Sequence, residues 1–263
     1  MILDKFRLDD KVALVTGAAT GLGAAIAVAL AEAGADVVAH GNSRAPDATC
    51  ELIKCLGRKT LAVRGDLADK TTPQKLIAQT LDAFGRLDIL INNAGTIRRA
   101  PATDYSEEDW ATVIEVNLSS VFRLSQLAGR HMIERAVGSS GDIANRGGKI
   151  VNIASLLSFQ GGVTVPAYAA SKGGVAQLTK ALANEWAKYG VCVNAIAPGY
   201  MRTDNTAALQ RDETRNRQIL ERIPAARWGE PDDVAGAAVF LSSAASDYLH
   251  GHVLVVDGGW MGR

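Results

Sequence analysis

The sequence predicts an α/β protein, a doubly wound parallel sheet with helices on both faces, folded as a single domain over residues 1–263. Three observations predict it. Short runs of Val, Ile, Leu and Ala alternate with longer segments of helical period. Those runs are almost continuously apolar, as strands covered on both faces must be. The first run flows directly into a glycine-rich turn, Thr16-Gly17-Ala18-Ala19-Thr20-Gly21-Leu22-Gly23, that opens a helix.

The elements follow in order. Lys11–Thr16 reads as the first strand. Leu22–Ala33 has helical period and stops at Gly34, a natural helix end. Asp36–His40 is the second strand, 48–56 a helix, and Leu61–Arg64 the third strand. Thr72–Phe84 is helical and Leu87–Ile91 is the fourth strand. One long helix is expected over Glu107–Glu134, with Ser106 as its N-cap and Asp109 at N3. The stretch Gly138–Gly148 reads as a flexible surface loop before the fifth strand, Lys149–Ile153. A helix over Ala167–Tyr189 precedes the sixth strand, Val191–Ile196. Helices are expected near Thr206–Arg222 and over Pro231–Ser242, where Pro231 suits a first turn. Val253–Val256 closes the sheet.

Composition narrows the function. Hydrophobic residues are 48% and charged residues 21%, ordinary for a soluble globular chain. Formal net charge is zero, so no strong field draws nucleic acid or an anionic membrane. The N-terminus is charged throughout and lacks the apolar run of a signal peptide. The longest apolar stretch, residues 24–39, is broken by Glu32, Gly34 and Asp36, so it does not span a bilayer. The expected location is the cytoplasm. Cys50, Cys55 and Cys192 form no metal-type pattern, and no metal site is expected.

The glycine turn is suited to a dinucleotide. Gly17 permits the tight turn, Gly21 close approach of the backbone, and Gly23 packing of helix on strand. A helix start and its dipole favour a pyrophosphate. Asn92-Asn93-Ala94-Gly95 follows the fourth strand at the same sheet edge, and Asp66 after the third strand is placed to accept from an adenine amino group. Asp66 reads equally well as a helix cap. The second strand ends in His40-Gly41-Asn42-Ser43-Arg44. No carboxylate stands there for the ribose hydroxyls, and Ser43 and Arg44 suit a 2′-phosphate, which leans towards NADP. Further along, Tyr168 and Lys172 lie one helical turn apart, with Ser155 upstream. An ammonium beside a phenol lowers its pKa, so Tyr168 is expected to serve as an acid or base near neutral pH.

Taken together, Thr16–Gly23, Asp66, Asn92–Gly95, Asn117, Ser155, Tyr168, Lys172 and Pro198-Gly199 resemble, in order and over nearly the whole chain, the short-chain dehydrogenase/reductase family. The resemblance implies a Rossmann-like fold, an NAD(P)(H) cofactor and hydride transfer. It makes Tyr168 the acid/base, has Lys172 lower its pKa and hold the nicotinamide ribose, and has Ser155 hold the substrate oxygen. It has Asn117 bind a water that links Lys172 to solvent. Cofactor contacts are implied from Gly17, Thr20, Gly21, Leu22 and Gly23, from Asn42, Ser43 and Arg44, from Asp66 and Leu67, from Asn93, Ala94 and Gly95, and from Pro198, Gly199, Met201 and Thr203 beside Tyr168 and Lys172. Two positioned hydroxyls agree with the chemistry, since a carbonyl oxygen gains negative charge as hydride arrives.

Segments such as Gly95-Thr96-Ile97-Arg98-Arg99, Asn184-Glu185-Trp186-Ala187-Lys188 and Ala197-Pro198-Gly199-Tyr200-Met201 resemble one branch of that family. That branch interconverts 2,5-diketo-3-deoxygluconate and 2-keto-3-deoxygluconate in the breakdown of uronic-acid polymers. The branch leans towards NAD, against the second-strand end, which leaves the cofactor preference open. Arg98 and Arg99 are candidates for the substrate carboxylate and Gln160 for a hydroxyl. The family implies a homotetramer in which the long helices after Ser106 and Pro166 pair. Other readings stay open: a 3-oxoacyl-carrier-protein reductase, a glucose dehydrogenase, or a dinucleotide-sensing protein without activity.

Overall fold

A computed structural model describes residues 1–138 and 147–263. Seven parallel strands form one sheet in the order β3-β2-β1-β4-β5-β6-β7. They are β1 (Val12–Val15), β2 (Asp36–Gly41), β3 (Thr60–Arg64), β4 (Ile89–Asn92), β5 (Gly148–Ile153), β6 (Val191–Pro198) and β7 (Val253–Val256). The helices are α1 (Gly21–Glu32), α2 (Asp47–Cys55), α3 (Thr72–Phe84), α4 (Glu107–Ile114), α5 (Ser120–Gly138), α6 (Pro166–Trp186), α7 (Ala207–Arg211), α8 (Glu213–Arg222) and α9 (Pro231–Ser242).

The near-continuous apolar runs have a direct cause. Successive side chains of a strand point to opposite faces. Ala13, Val15, Val37, Ala39, Ile89 and Ile91 enter a core shared with α1, α2 and α9. Leu14, Val38, Leu90 and Ile150 enter the opposite core, with Leu76 of α3, Leu124 of α5 and Leu182 of α6. The register pairs Asn92 of β4 with Asn152 of β5. Asn92 Nδ2 donates to Asn152 Oδ1 at 2.8 Å and to Ser125 Oγ at 3.0 Å, and Asn152 Nδ2 donates to Thr179 Oγ1 at 2.9 Å. This polar ladder locks α5 and α6 to the sheet.

The expected elements are present, with differences that have physical causes. The helix expected over Glu107–Glu134 is three pieces: α4, a π turn at Glu115–Ser119, and α5 running on to Gly138. Its start is as expected, for Ser106 Oγ accepts from Asp109 N at 3.1 Å. The segment near Thr206–Arg222 is broken at Asp212, whose backbone is extended and whose side chain caps α8 by accepting from Arg215 N. The helix expected to reach Tyr189 ends at Trp186 and tightens into a 3-10 turn over Ala187–Tyr189. The sixth strand runs two residues further, to Pro198. The expected loop at Gly138–Gly148 lies mostly outside the described residues. Among the described residues, no helix is long and apolar enough to cross a membrane.

Candidate active site

The carboxyl ends of the strands open into a crevice of about 560 Å³. Its floor is the glycine turn between β1 and α1; its walls come from the residues after β2, β3, β4 and β6 and from the start of α6. Gly17 has φ +66, and a Cβ there would lie 2.9 Å from Asn93 Nδ2. Only glycine lets these two loops close on each other. Asn93 Nδ2 donates to the carbonyls of Thr16 and Gly17, and Thr16 Oγ1 accepts from the amides of Asn93 and Ala94. Protein groups alone thus tie the turn after β1 to the loop after β4. The first turn of α1 faces the crevice with amides that a helix leaves unpaired at its start.

Ser155 stands just past β5 in an extended conformation and caps a 3-10 turn at Leu156–Ser158. Tyr168 and Lys172 occupy the first turns of α6, where Pro166 sets the start. The Ser155 side chain stands beside the Tyr168 hydroxyl, close enough to hold the phenol's pKa down. Lys172 Nζ donates to the Ile153 carbonyl at 2.6 Å and lies 5.7 Å from the Tyr168 ring centroid. Ser158 Oγ donates to the Lys172 carbonyl at 2.7 Å and accepts from Ser155 N at 3.3 Å, which joins the serine turn to α6.

Asn117 sits fully buried in the π turn. Its Oδ1 accepts from Thr96 N at 2.8 Å, and its Nδ2 donates to Thr96 O at 2.9 Å and to Ser171 Oγ at 3.2 Å. The side chain thus clamps the loop after β4 against α6. A π turn at such a position re-aims one residue without ending the helix.

The electrostatics differ from expectation. Burial pushes the Tyr168 phenol above its ordinary value, opposed by the Ser155 side chain and by the Arg99 guanidinium. Lys172, expected to lower that phenol, donates to the end of β5 and stands 5.7 Å from the Tyr168 ring centroid, and the charge that lowers the phenol is that of Arg99. Burial also holds Lys172 down, at about 8.

A family of sequences described as Enoyl-(Acyl carrier protein) reductase matches residues 17–261. A 2-dehydro-3-deoxy-D-gluconate 5-dehydrogenase of Dickeya dadantii is 50% identical over 263 residues, all of both chains. The chain belongs to the short-chain dehydrogenase/reductase family.

Two solved members have the same fold. A candidate 2-deoxy-D-gluconate 3-dehydrogenase from Agrobacterium tumefaciens, holding NADP, is 54% identical with a TM-score of 0.89, over 98% of this chain and 99% of that one. A gluconate 5-dehydrogenase from Burkholderia cenocepacia, in complex with NADP and tartrate, is 39% identical with a TM-score of 0.90, over 100% of both. This short-chain dehydrogenase/reductase is an NAD(P)-dependent oxidoreductase, and its crevice suits that cofactor: glycine backbone and a helix start for phosphates, polar groups for the riboses.

The crevice gathers most of the expected residues. Gly17, Thr20–Gly23, Asn42, Ser43, Arg44, Asp66, Leu67, Asn93–Gly95, Tyr168, Lys172 and Thr203 all line it. Asp66 Oδ1 accepts from Ala68 N at 2.9 Å, a turn-forming bond. Other expected residues stand differently. The Met201 side chain is 5% exposed and packs in the core with α1 and α9, and Pro198 and Gly199 are not among the residues that line the crevice. Gln160 is outside the crevice, where its Oε1 accepts from Trp260 Nε1 at 3.1 Å. Arg98 lines the crevice with its guanidinium on Thr96 Oγ1 at 3.0 Å and Asp109 at 3.4 Å, whereas Arg99 is not among the lining residues and its Nη2 donates to the Asn205 carbonyl at 3.3 Å.

Sequence reasoning missed other lining groups. His40, Ile153, Asp204 and Asn205 all border the crevice. Arg44 Nη1 reaches Asp204 Oδ2 at 3.5 Å, across 160 residues of chain. An isolated acidic residue after the sixth strand carries no periodic signal, so nothing in the sequence pairs it with Arg44.

Proposed function

We propose that this enzyme transfers a hydride between NAD(P)(H) and a deoxy-keto sugar acid, interconverting 2,5-diketo-3-deoxygluconate and 2-keto-3-deoxygluconate in uronic-acid catabolism. The observation that carries the reading is the loop after β4, which sets Arg98 on the crevice lining and brings Arg99, whose Nη2 donates to the Asn205 carbonyl at 3.3 Å, close enough for its charge to hold the Tyr168 phenol down. A cation beside the two hydroxyls suits a substrate whose carboxylate lies a few bonds from its reacting carbonyl. The full-length likeness to the Dickeya dadantii enzyme supports the same substrate.

The nicotinamide supplies or accepts the hydride when bound. The residues of this chain do the rest. Tyr168 donates its proton to the substrate oxygen during reduction and removes it during oxidation. Ser155 stabilises the charge developing on that oxygen. Lys172, held by Ile153 O, keeps N–H donors for the nicotinamide ribose. The first turn of α1 takes the pyrophosphate; Asn42, Ser43 and Arg44 take the adenosine ribose; Asp66 and Leu67 flank the adenine. Asn117 acts through Thr96, fixing the loop that carries Arg98 and Arg99.

The same reading has the chain act as a single-domain subunit of a cytoplasmic homotetramer. Trp110 of α4 and Phe122 of α5, each 41% exposed, support pairing through that helix layer.

The test compares the sugar acid with a neutral analogue in wild type, Arg98→Ala and Arg99→Ala. Losing a charge-assisted bond costs about 1.5–3 kcal/mol, roughly 10- to 100-fold in kcat/KM. Arg99→Ala should lose that much on the acid and much less on the analogue, while Arg98→Ala, whose guanidinium serves its own loop, should discriminate little. Turnover of an acyl thioester or a neutral sugar, with none of the acid on either dinucleotide, would sink the substrate assignment.

A further inference from the structure

Two consecutive amides of the glycine turn end on one residue. Gly17 N–H donates to His40 Nδ1 at 3.3 Å, and Ala18 N–H donates to the His40 carbonyl at 2.7 Å. The other ring nitrogen, Nε2, bonds the Gly65 carbonyl at 2.9 Å. Gly65 directly precedes Asp66, at the end of β3. His40 is 1% exposed and borders the crevice.

These contacts fix the chemistry of the ring. A carbonyl can only accept, so Nε2 carries the proton; an amide N–H can only donate, so Nδ1 is bare. The imidazole is neutral. Burial agrees, pushing its pKa below the ordinary value against an opposing pull from Asp66. One flat ring thus spans β2 and joins the turn after β1 to the loop after β3. An apolar side chain of similar size would leave the Gly17 N–H and Gly65 C=O without those partners, and buried polar groups left unpaired are costly.

We propose that His40 is a positioning residue for the dinucleotide, holding the phosphate-binding turn and the Asp66-Leu67 loop at a set spacing through its neutral imidazole. The two loops flank the adenosine half of the cofactor. A spacing set before binding removes an ordering cost that would otherwise weaken affinity. The role concerns the dinucleotide alone and is independent of which substrate is reduced.

The test measures NADPH and NADH dissociation constants by calorimetry on the full chain without substrate, beside steady-state kinetics. His40→Leu removes both ring bonds. His40→Asn can place an oxygen where Nδ1 accepts, and His40→Gln can place an NH2 where Nε2 donates. His40→Leu should weaken dinucleotide binding about 10-fold, the upper end for one ordinary hydrogen bond, with Asn and Gln between it and wild type. The KM for dinucleotide should rise in the same order while kcat at saturation stays within about two-fold. Acid supplies a further readout. Protonation puts a hydrogen on Nδ1 against the Gly17 N–H, so wild-type affinity should fall relative to His40→Asn once pH drops well below the ordinary histidine value of about 6.5, since burial lowers the ring's pKa. The charged neighbours are Asp66 on the β3 side and Arg64, whose guanidinium turns to the Asn42 and Ser43 carbonyls. The turn at residues 16–23 brings no charged side chain. Unchanged dissociation constants in all three variants, with only the melting temperature lowered, would reduce His40 to packing. A fall in kcat with binding intact, or parallel acid profiles in wild type and His40→Asn, would also overturn the proposal.

Discussion

Tyr168, Ser155 and Lys172 divide the work by what surrounds each of them. The phenol is kept protonated by burial, as a proton donor at neutral pH requires. Lys172 is charged at pH 7 but sits low, at about 8, because its ammonium is buried against the end of β5. The reductive kcat/KM should therefore be level through neutral pH and fall above about 8, as Lys172 loses its charge. Lys172→Arg, which stays charged, should move that fall upward. Tyr168→Phe should lower kcat at least ~100-fold at every pH. The stability contribution of Lys172 has the opposite sign. Its folded pKa lies below the unfolded value of about 10.4, so between the two the unfolded chain binds more protons and stability rises with pH. A melting temperature that drops in step with activity above pH 8 would mean unfolding, and would refute the titration reading.

At the scale of elements, the π turn between α4 and α5 is the device that brings Asn117 inward. A regular helix through residues 115–119 would rotate Asn117 away from Thr96 and Ser171. Leu118 beside it packs on Gly174 of α6, where a Cβ would come within 2.8 Å of Leu118 Cδ2. The turn is thus pinned by a polar clamp and a close helix contact. Asn117→Ala should strip partners from both the N–H and C=O of Thr96, at about 1–3 kcal/mol for a buried group left unpaired. Thermal unfolding should register the loss. Because Thr96 leads into Arg98 and Arg99, KM for the sugar acid should rise more than KM for the dinucleotide. Equal rises in both would place the effect in the general frame instead.

Across the whole molecule, the mouth of the cofactor crevice is built from segments far apart in sequence. Arg44 follows β2 and Asp204 follows β6, yet their side chains meet across the mouth of the crevice. Both are largely exposed, so the pair contributes little to stability. Under the proposed function the consequence is competition: a 2′-phosphate held by Arg44 would share it with Asp204. Arg44→Ala should weaken NADPH more than NADH, by roughly 10-fold or more for a charge-assisted contact. Asp204→Asn should tighten NADPH and leave NADH nearly unchanged. Titrations of each variant with both dinucleotides check this. If Asp204→Asn shifts neither, Arg44 does not read the phosphate from this position.

Much of this was legible in the chain as written. The alternation of apolar runs and helical segments determined a parallel sheet, because strands covered on both faces need apolar residues at every position. The glycine turn, Asn92–Gly95, and the Ser155, Tyr168 and Lys172 set determined where the crevice opens and what class of chemistry suits it, because these depend on local backbone freedom and helical spacing. The tertiary structure alone decided the rest. That Arg98 meets Thr96 and Asp109 while Arg99 meets the Asn205 carbonyl depended on segments far apart in the chain. Where the Lys172 ammonium goes depended on the carbonyl of Ile153. Met201 turned to the core and Gln160 to Trp260 because packing partners arrive from other elements. His40 joined two loops only once β2 lay between β1 and β3. Contacts between residues far apart in the chain leave no periodic trace in it, and they set the charge, protonation and aim of the groups that the sequence could name.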